Sequence, residues 1–183
     1  MTDALPETVT LFETEYPVHT SFRNWIQILE LMEGADITNS KQAAKALKLC
    51  YKEVLPPNIV SAFLGMLDFL NRGTDFSVSR EGNGVPLFSF REDADVIYAA
   101  FYAKYGIDLS KEDLHWYTFC ALFAALSEEN LFQTVLKIRS FDESTLKNPE
   151  KRRKMARLKK RFQLKRYAGT REIDVAENLA ALF

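Results

Sequence analysis

Residues 114–126 read LHWYTFCALFAAL, and this stretch decides the predicted fold. Only His115 and Thr118 in it are clearly polar, so a helix formed here is apolar around its whole circumference. Such a helix is either buried in protein or lies in a membrane. At about 1.5 Å per residue the stretch spans about 20 Å, less than a bilayer core of about 30 Å. It therefore predicts a central buried helix, with Ser110 and Asp113 forming the capping box at its start.

Composition predicts one mainly α domain over residues 1–183, without a membrane span. Hydrophobic residues make up 47% of the chain, with 14 Phe, which is enough for a substantial core. The 24 Lys plus Arg nearly balance the 25 Asp plus Glu, which argues against a nucleic-acid coat protein. The start MTDALPETV lacks the basic and apolar regions of a signal peptide, so a cytoplasmic protein is expected.

Local patterns predict the order of elements along the chain. Two β-prone runs at residues 9–12 and 16–18 predict a small hairpin within an N-terminal arm, residues 1–20. About six to eight helices follow, in a helical core at 21–140 and a basic C-terminal helix and tail at 141–183. The third helix has Pro57 in its first turn and a buried stripe of Ile59, Phe63, Met66, Leu67 and Leu70. The fourth and central helices supply the predicted core: Ile97, Phe101, Leu114, Trp116, Phe119, Leu122 and Phe123.

Candidate reactive residues are few and isolated. No His or Cys lies three or four residues from His115, so metal-ligand spacing is absent. We expect a hydrogen-bonded core or interface histidine there, rather than a general base. Cys50 and Cys120 lie in apolar helical patterns and are expected to be buried. No metal, cofactor or catalytic residue is predicted, and a non-enzymatic protein is expected.

The helix starting at Asn148-Pro149 is the one strongly charged feature. Between residues 147 and 166 only Glu150 opposes eleven basic side chains, and three apolar residues form a narrow seam. The helix is a solvated face, a docking surface for an acidic protein, or a nucleic-acid contact. The seam favours a protein partner, because phosphate binding needs only charge. The predicted partner-binding residues are the cations and the seam of this helix: Lys151, Arg152, Lys154, Met155, Arg157, Leu158, Arg161 and Phe162.

Three motif blocks resemble the bacteriophage gene product fifteen family. Residues 90–101 read FREDADVIYAAF, residues 105–109 read YGIDL, and residues 114–119 read LHWYTF, followed by ALF at 121–123. The family typically reads D-x-x-Y-I-Y-A-A-F, Y-G-I-D-L and L-H-W-W-x-F-x-A-L-F. Tyr117 stands where the family has its second tryptophan, and Asp95-Val96 replaces a usual aspartate–tyrosine pairing. The resemblance covers most of the chain.

The resemblance implies a role in phage tail assembly. It implies a chaperone that keeps the tape-measure protein soluble in the host cytoplasm until tail-tube subunits polymerise around it. The partners implied are the tape-measure protein and the tail-tube protein, with a homo-oligomer left open and no membrane. The rival expectations are a structural tail or head–tail connector component that stays in the virion, and a nucleic-acid-binding regulator acting through the basic helix. The family brings no catalytic residues.

Overall fold

Two strands and seven α-helices make up the part of the chain that the computed structural model describes, residues 4–34, 40–72, 86–126 and 130–165. In order they are β1 (Thr8–Leu11), β2 (Thr14–Pro17), α1 (Phe22–Gly34), α2 (Ser40–Cys50), α3 (Ile59–Arg72), α4 (Ala94–Tyr105), α5 (Trp116–Ala124), α6 (Leu131–Ser140) and α7 (Pro149–Phe162), with a 3₁₀ turn (Glu143–Thr145) before α7. The mainly α class with a small N-terminal hairpin is thus confirmed. The packing divides the chain into two compact units, Met1–Phe76 with Phe101–Leu126 and Ser77–Ala100 with Ser127–Phe183.

The N-terminal hairpin forms where it was predicted. Its strands pair antiparallel, with Val9 opposite Tyr16, and a two-residue turn joins them. Both turn residues, Phe12 and Glu13, have positive φ, at 49° and 63°. This matches the primed turns that suit the twist of a hairpin, although Asn-Gly is the usual sequence there. Strand β1 packs on α3, so the hairpin gains the helical support that two isolated strands lack.

Stacked aromatic rings form the core of the first unit. Trp25 stacks on Phe69 with ring centroids 4.8 Å apart, and Phe119 stacks on Phe22 at 4.8 Å and on Phe101 at 5.2 Å. Buried indoles also need a hydrogen-bond partner. The Trp25 Nε1–H group therefore donates to the His19 carbonyl at 2.7 Å. Offset stacking of this kind adds about 0.5–1.5 kcal/mol per pair beyond the area buried.

The central helix α5 begins later than predicted. Before the helix, His115 pairs antiparallel with Ser21 in an isolated β-bridge. In this bridge the Phe22 amide donates to the Leu114 carbonyl at 2.9 Å, and the Trp116 amide donates to the Thr20 carbonyl at 2.6 Å. His115 is the N-cap, and its side chain accepts a hydrogen bond from the Tyr117 amide. The predicted capping box of Ser110 and Asp113 is therefore wrong.

Helix α5 is buried on one face only, whereas an all-round burial was predicted. Trp116, Phe119, Cys120 and Phe123 are buried, and the small residues Ala121, Ala124 and Ala125 lie on the exposed side. Of the seven predicted core residues, Ile97, Phe101, Trp116, Phe119 and Phe123 are buried, and Leu114 and Leu122 are half-buried. Leu114 lies before the helix, and Leu122 borders the alanine face.

Capping residues explain where several other helices begin and end. The Asn58 side chain accepts a hydrogen bond from the Ser61 amide and caps α3. Pro57 therefore precedes the cap, and the prediction that it lies in the first turn of this helix is wrong. Gly106, with φ of 69°, ends α4, as the sequence pattern of a glycine after the last helical residue predicts. Asn130 caps α6, while the predicted start at residues 127–129 lies outside the described residues. Asn148 caps α7 with Pro149 at its first position, which confirms that prediction.

In the second unit α7 packs on α6 and on the 3₁₀ turn. Phe88 meets Phe90 and Phe132 edge to face, with centroids 5.1 and 5.7 Å apart. The predicted seam of α7, Met155, Leu158 and Phe162, is half-buried, and the cations of this helix are exposed except for the half-buried Lys159. The seam therefore serves the fold of this unit at least in part.

Candidate partner-binding surfaces

The basic face of α7 is the first candidate surface. All five predicted cations of the partner-binding set are exposed: Lys151, Arg152, Lys154, Arg157 and Arg161. The remaining three residues of the set form the half-buried seam. The charged side chains of this surface are therefore open to solvent, whereas its apolar side chains are only partly so. Arg152 also donates to the Leu146 carbonyl at 3.0 Å, which ties the start of the helix to the 3₁₀ turn.

An ion pair in the second unit anchors the elements beside α7. Arg139 of α6 donates two hydrogen bonds to the Asp93 carboxylate, at 2.6 and 2.8 Å. Both side chains are nearly inaccessible to solvent, with 11% of Arg139 and 6% of Asp93 exposed. Arg139 also donates to the carbonyls of Leu87 and Phe162, at 2.8 and 2.6 Å. One guanidinium thus connects α6, the start of α4 and the end of α7.

Sequence reasoning missed this pair. In the sequence, Asp93 fits the first turn of α4, as an acid that complements the helix dipole, and Arg139 fits the helical pattern of α6. Both assignments were compatible with an exposed side chain. A lone arginine following Phe132, Val135 and Leu136 on one helical face was the only sequence signal for a buried cation.

His115 uses both ring nitrogens within the fold. Its Nδ1 accepts from the Tyr117 amide at 3.1 Å, and its Nε2 lies 3.0 Å from the Pro6 carbonyl. Because a carbonyl only accepts, the ring carries its proton on Nε2 and is neutral in this geometry. The imidazole therefore links the N-terminal segment to the start of α5, as a satisfied interface histidine would.

The cysteines are free and buried, as expected for small apolar side chains. Burial raises the pKa of the Cys50 thiol to about 12, so the nucleophilic thiolate is scarce at neutral pH. Burial also raises the pKa of Tyr51, with smaller contributions from Cys50 and Tyr16. The Tyr51 hydroxyl donates to the Ala62 carbonyl at 2.8 Å, so it joins α2 to α3.

A second candidate surface lies on α3. The predicted buried stripe of this helix is wrong at Ile59, which is 70% exposed. The buried face turns out to be Ala62, Met66, Phe69 and Leu70, and the opposite face carries Val60 and Leu64 in solvent. The sequence gives no contrast between the two faces, because IVSAFLGMLDFL is apolar nearly all round. Large apolar residues exposed together are typical of a binding surface.

Two other kinds of site are absent from the described residues. Within the described ranges, no three His, Cys, Asp or Glu side chains come together in a group that could hold a metal ion. Among the same residues, no helix has the length and apolar character needed to cross a bilayer.

Comparison with known proteins decides the family. A family model described as Bacteriophage Gp15 protein matches residues 1–164. The chain belongs to the bacteriophage Gp15 family. The match to the Gp15 model runs from the N-terminal arm through the whole of α7, so it includes every element described above. Comparison with curated proteins and with solved structures gave no match. The family resemblance seen in the sequence is therefore confirmed, and the chain is a phage protein.

Proposed function

We propose that this phage protein is a tail assembly chaperone that binds the tape-measure protein and keeps it soluble in the host cytoplasm until the tail tube forms. The observation that carries the proposal is the exposure of large apolar side chains on a protein that is otherwise well packed and mainly α. Ile59, Val60 and Leu64 are each at least 60% exposed on one helix. A protein that shields an apolar helix from aggregation needs such a surface.

The proposed role is binding and needs no reaction centre. The geometry of His115 agrees with this, because both of its ring nitrogens are engaged within the fold. The exposed cations of α7 offer a second contact, to acidic segments of the tape-measure protein or of the tail-tube protein. Such exposed charges speed association and align partners more than they add affinity.

Co-expression tests the proposal. The full chain is expressed with the tape-measure protein encoded in the same phage genome, and soluble tape-measure protein is compared with a culture lacking the chain. We expect a higher soluble yield and co-purification of the two proteins. An unchanged yield, together with no co-purification, contradicts the proposal.

The structural alternative is a tail or head–tail connector component. Mass spectrometry of purified virions separates it from the chaperone, because a connector is present in fixed stoichiometry and an assembly chaperone is absent from the finished particle. Nucleic-acid binding through α7 is the other alternative, favoured by its exposed cations. It requires duplex binding that weakens steeply with salt. No mobility shift at low salt excludes it.

A further inference from the structure

The first unit exposes six large apolar side chains near or on α3 and the hairpin. They are Phe12 at the hairpin tip, Val54 and Leu55 before α3, and Ile59, Val60 and Leu64 on α3, with exposed fractions of 85, 60, 46, 70, 68 and 60%. We call these six residues the α3 apolar surface. At about 150–200 Å² per large side chain the exposed part totals about 600 Å². The largest apolar patch on a typical monomer is about 300–600 Å², and patches of that size are often functional.

The hairpin packs on α3 next to one of the exposed helix residues, Leu64. The start of β1 is near the C-terminal part of α3, where Pro6, Thr8 and Phe69 line one small cavity of about 80 Å³. Further along β1, Leu11 reaches Gly65, whose Cβ position would lie 3.2 Å from the leucine side chain. Val9 reaches the same glycine, at 2.7 Å, so β1 packs on α3 at Gly65. Phe12 directly follows Leu11, and Leu64 directly precedes Gly65.

The backbone at Phe12 is held in a conformation that bulky residues rarely adopt. Its φ is +49°, and the following Glu13 has φ of +63°. A left-handed conformation costs an L-residue about 1–2 kcal/mol, and neither side chain is one of the usual Asn or Gly. Phe12 is nevertheless 85% exposed and fills no space in the fold. An aromatic ring presented in this way is the kind of anchor that dominates protein interfaces.

Charges next to the α3 apolar surface decide between a second copy and a different partner. Glu13 follows Phe12 and Glu53 precedes Val54, with Lys52 as the one cation beside these residues in the chain sequence. A symmetric dimer through this surface would place like carboxylates opposite each other, which is destabilising. A partner with Lys and Arg beside its apolar residues would instead find complementary charge.

We propose that the α3 apolar surface binds an amphipathic helix that has large aliphatic residues on one face and Lys or Arg along its flanks. Helices bind in this way by laying residues i, i+3, i+4 and i+7 on an apolar face. The identity of the partner, a segment of the tape-measure protein, rests on the proposed function. The chemistry of the helix rests on the surface alone.

The test compares two variants of the full chain. In the first, Val60→Glu and Leu64→Glu place carboxylates in the middle of the surface. In the control, Leu131→Glu changes a leucine of α6 that is 56% exposed and lies in the other unit. Both changes are at exposed positions, so circular dichroism should show unchanged folding. We expect the first variant to lose about tenfold or more in affinity for the tape-measure protein, as at a hot spot, and the control to bind like the parent.

Two synthetic helices separate failure of this inference from failure of the proposed function. Each has about 20 residues and a leucine face, and one carries Lys and the other Glu on its flanks. We expect the parent to bind the Lys helix more tightly and the Val60→Glu/Leu64→Glu variant to bind neither. Equal tape-measure binding by parent and variant overturns the inference and leaves the chaperone role standing.

The remaining outcomes are equally decisive. If neither the parent nor any variant binds the tape-measure protein but the parent binds the Lys helix as expected, the proposed function fails. The inference about the kind of helix that the α3 apolar surface binds is then still supported. Binding of neither helix, or equal binding of both, overturns the inference. Sedimentation measures whether the chain dimerises. If the parent is a dimer and the Val60→Glu/Leu64→Glu variant is a monomer, a second copy occupies the α3 apolar surface, and the inference is overturned.

Discussion

Replacing Arg139 by methionine should destabilise the protein more than most single substitutions. The change removes two hydrogen bonds to Asp93 and one each to the Leu87 and Phe162 carbonyls. It also leaves the Asp93 carboxylate buried, at 6% exposure, with its positive partner gone. Breaking a buried ion pair from one side costs about 3–5 kcal/mol. That is a large fraction of a typical stability of about 5–15 kcal/mol.

A double-substitution cycle shows whether this cost comes from the stranded charge. Asp93→Leu alone should cost a similar amount, because it strands the guanidinium of Arg139. The combined Asp93→Leu/Arg139→Met variant contains no stranded charge. It still leaves backbone groups without their side-chain partners, among them the Ser89 amide, which donates to Asp93 at 3.0 Å. We therefore expect the double variant to cost no more than either single one.

Urea denaturation followed by circular dichroism measures the free energy of unfolding of all three variants. Arg157→Met is the matched control, since it removes an exposed arginine of α7 and should change stability by no more than about 0.5 kcal/mol. Hydrogen exchange adds a local readout. The end of α7 loses its bond from Arg139 to the Phe162 carbonyl, so its amides should exchange faster in Arg139→Met. Costs that simply add in the double variant, or a cost below about 1 kcal/mol for Arg139→Met, would refute the reasoning.

Four further substitutions, at three positions, test other contacts. Gly65→Ala should destabilise by about 1–3 kcal/mol, because its Cβ would lie 2.7 Å from Val9 Cγ1; thermal melting checks this, and an unchanged melting temperature contradicts it. His115→Ala should cost about 0.5–2 kcal/mol through loss of the α5 cap, and His115→Asn less, since Asn also caps; equal urea midpoints for the two would count against the cap. Hydrogen bonds, first from Ser110 and then from Lys111, lower the pKa of Asp108 in the folded protein. The ionised carboxylate therefore stabilises the fold above the unfolded-state pKa of about 3.9, and this stabilisation is lost as the pH falls through the lower folded-state pKa. Asp108→Asn should therefore be less stable than the parent at pH 7 and should approach it in strong acid; a pH-independent difference would rule this out.

The elements of this fold follow from local sequence wherever one residue type fixes the backbone. Asn148-Pro149 starts α7 and Gly106 ends α4, because a side-chain cap, a fixed φ and a positive φ act within one turn. The hairpin was predicted from β-prone runs alone. Its turn was not a recognisable one, since Phe12 and Glu13 replace the residues that usually mark positive φ.

The start of α5 could not be predicted from nearby residues. Ser110 and Asp113 have the spacing of a capping box, but long-range contacts engage Asp113. Its carboxylate accepts from the Ser21 hydroxyl at 2.5 Å and from Arg23 at 2.9 Å, about 90 residues away in the chain. The backbone after it then forms the bridge between His115 and Ser21, and the helix begins only after the cap at His115. A tertiary contact here overrides a local preference.

Periodicity identifies a helix but cannot orient one that is apolar on every side. Both α3 and α5 have this character. On α3 the predicted stripe is buried at Met66 and Leu70 but exposed at Ile59, and α5 is buried on one face where burial all round was predicted. On α5 the residues that face solvent are alanines, so the error has little consequence for binding. On α3 the residues that face solvent are Ile59, Val60 and Leu64, whose exposure disfavours the isolated chain. At about 25 cal/mol per Å², covering a surface of about 600 Å² is worth about 15 kcal/mol before the costs of association. A partner can recover only part of that gain, yet even a fifth of it would change affinity about a hundredfold. The apolar outer face of α3 is thus the feature that a single-chain pattern hides and a binding experiment can reveal.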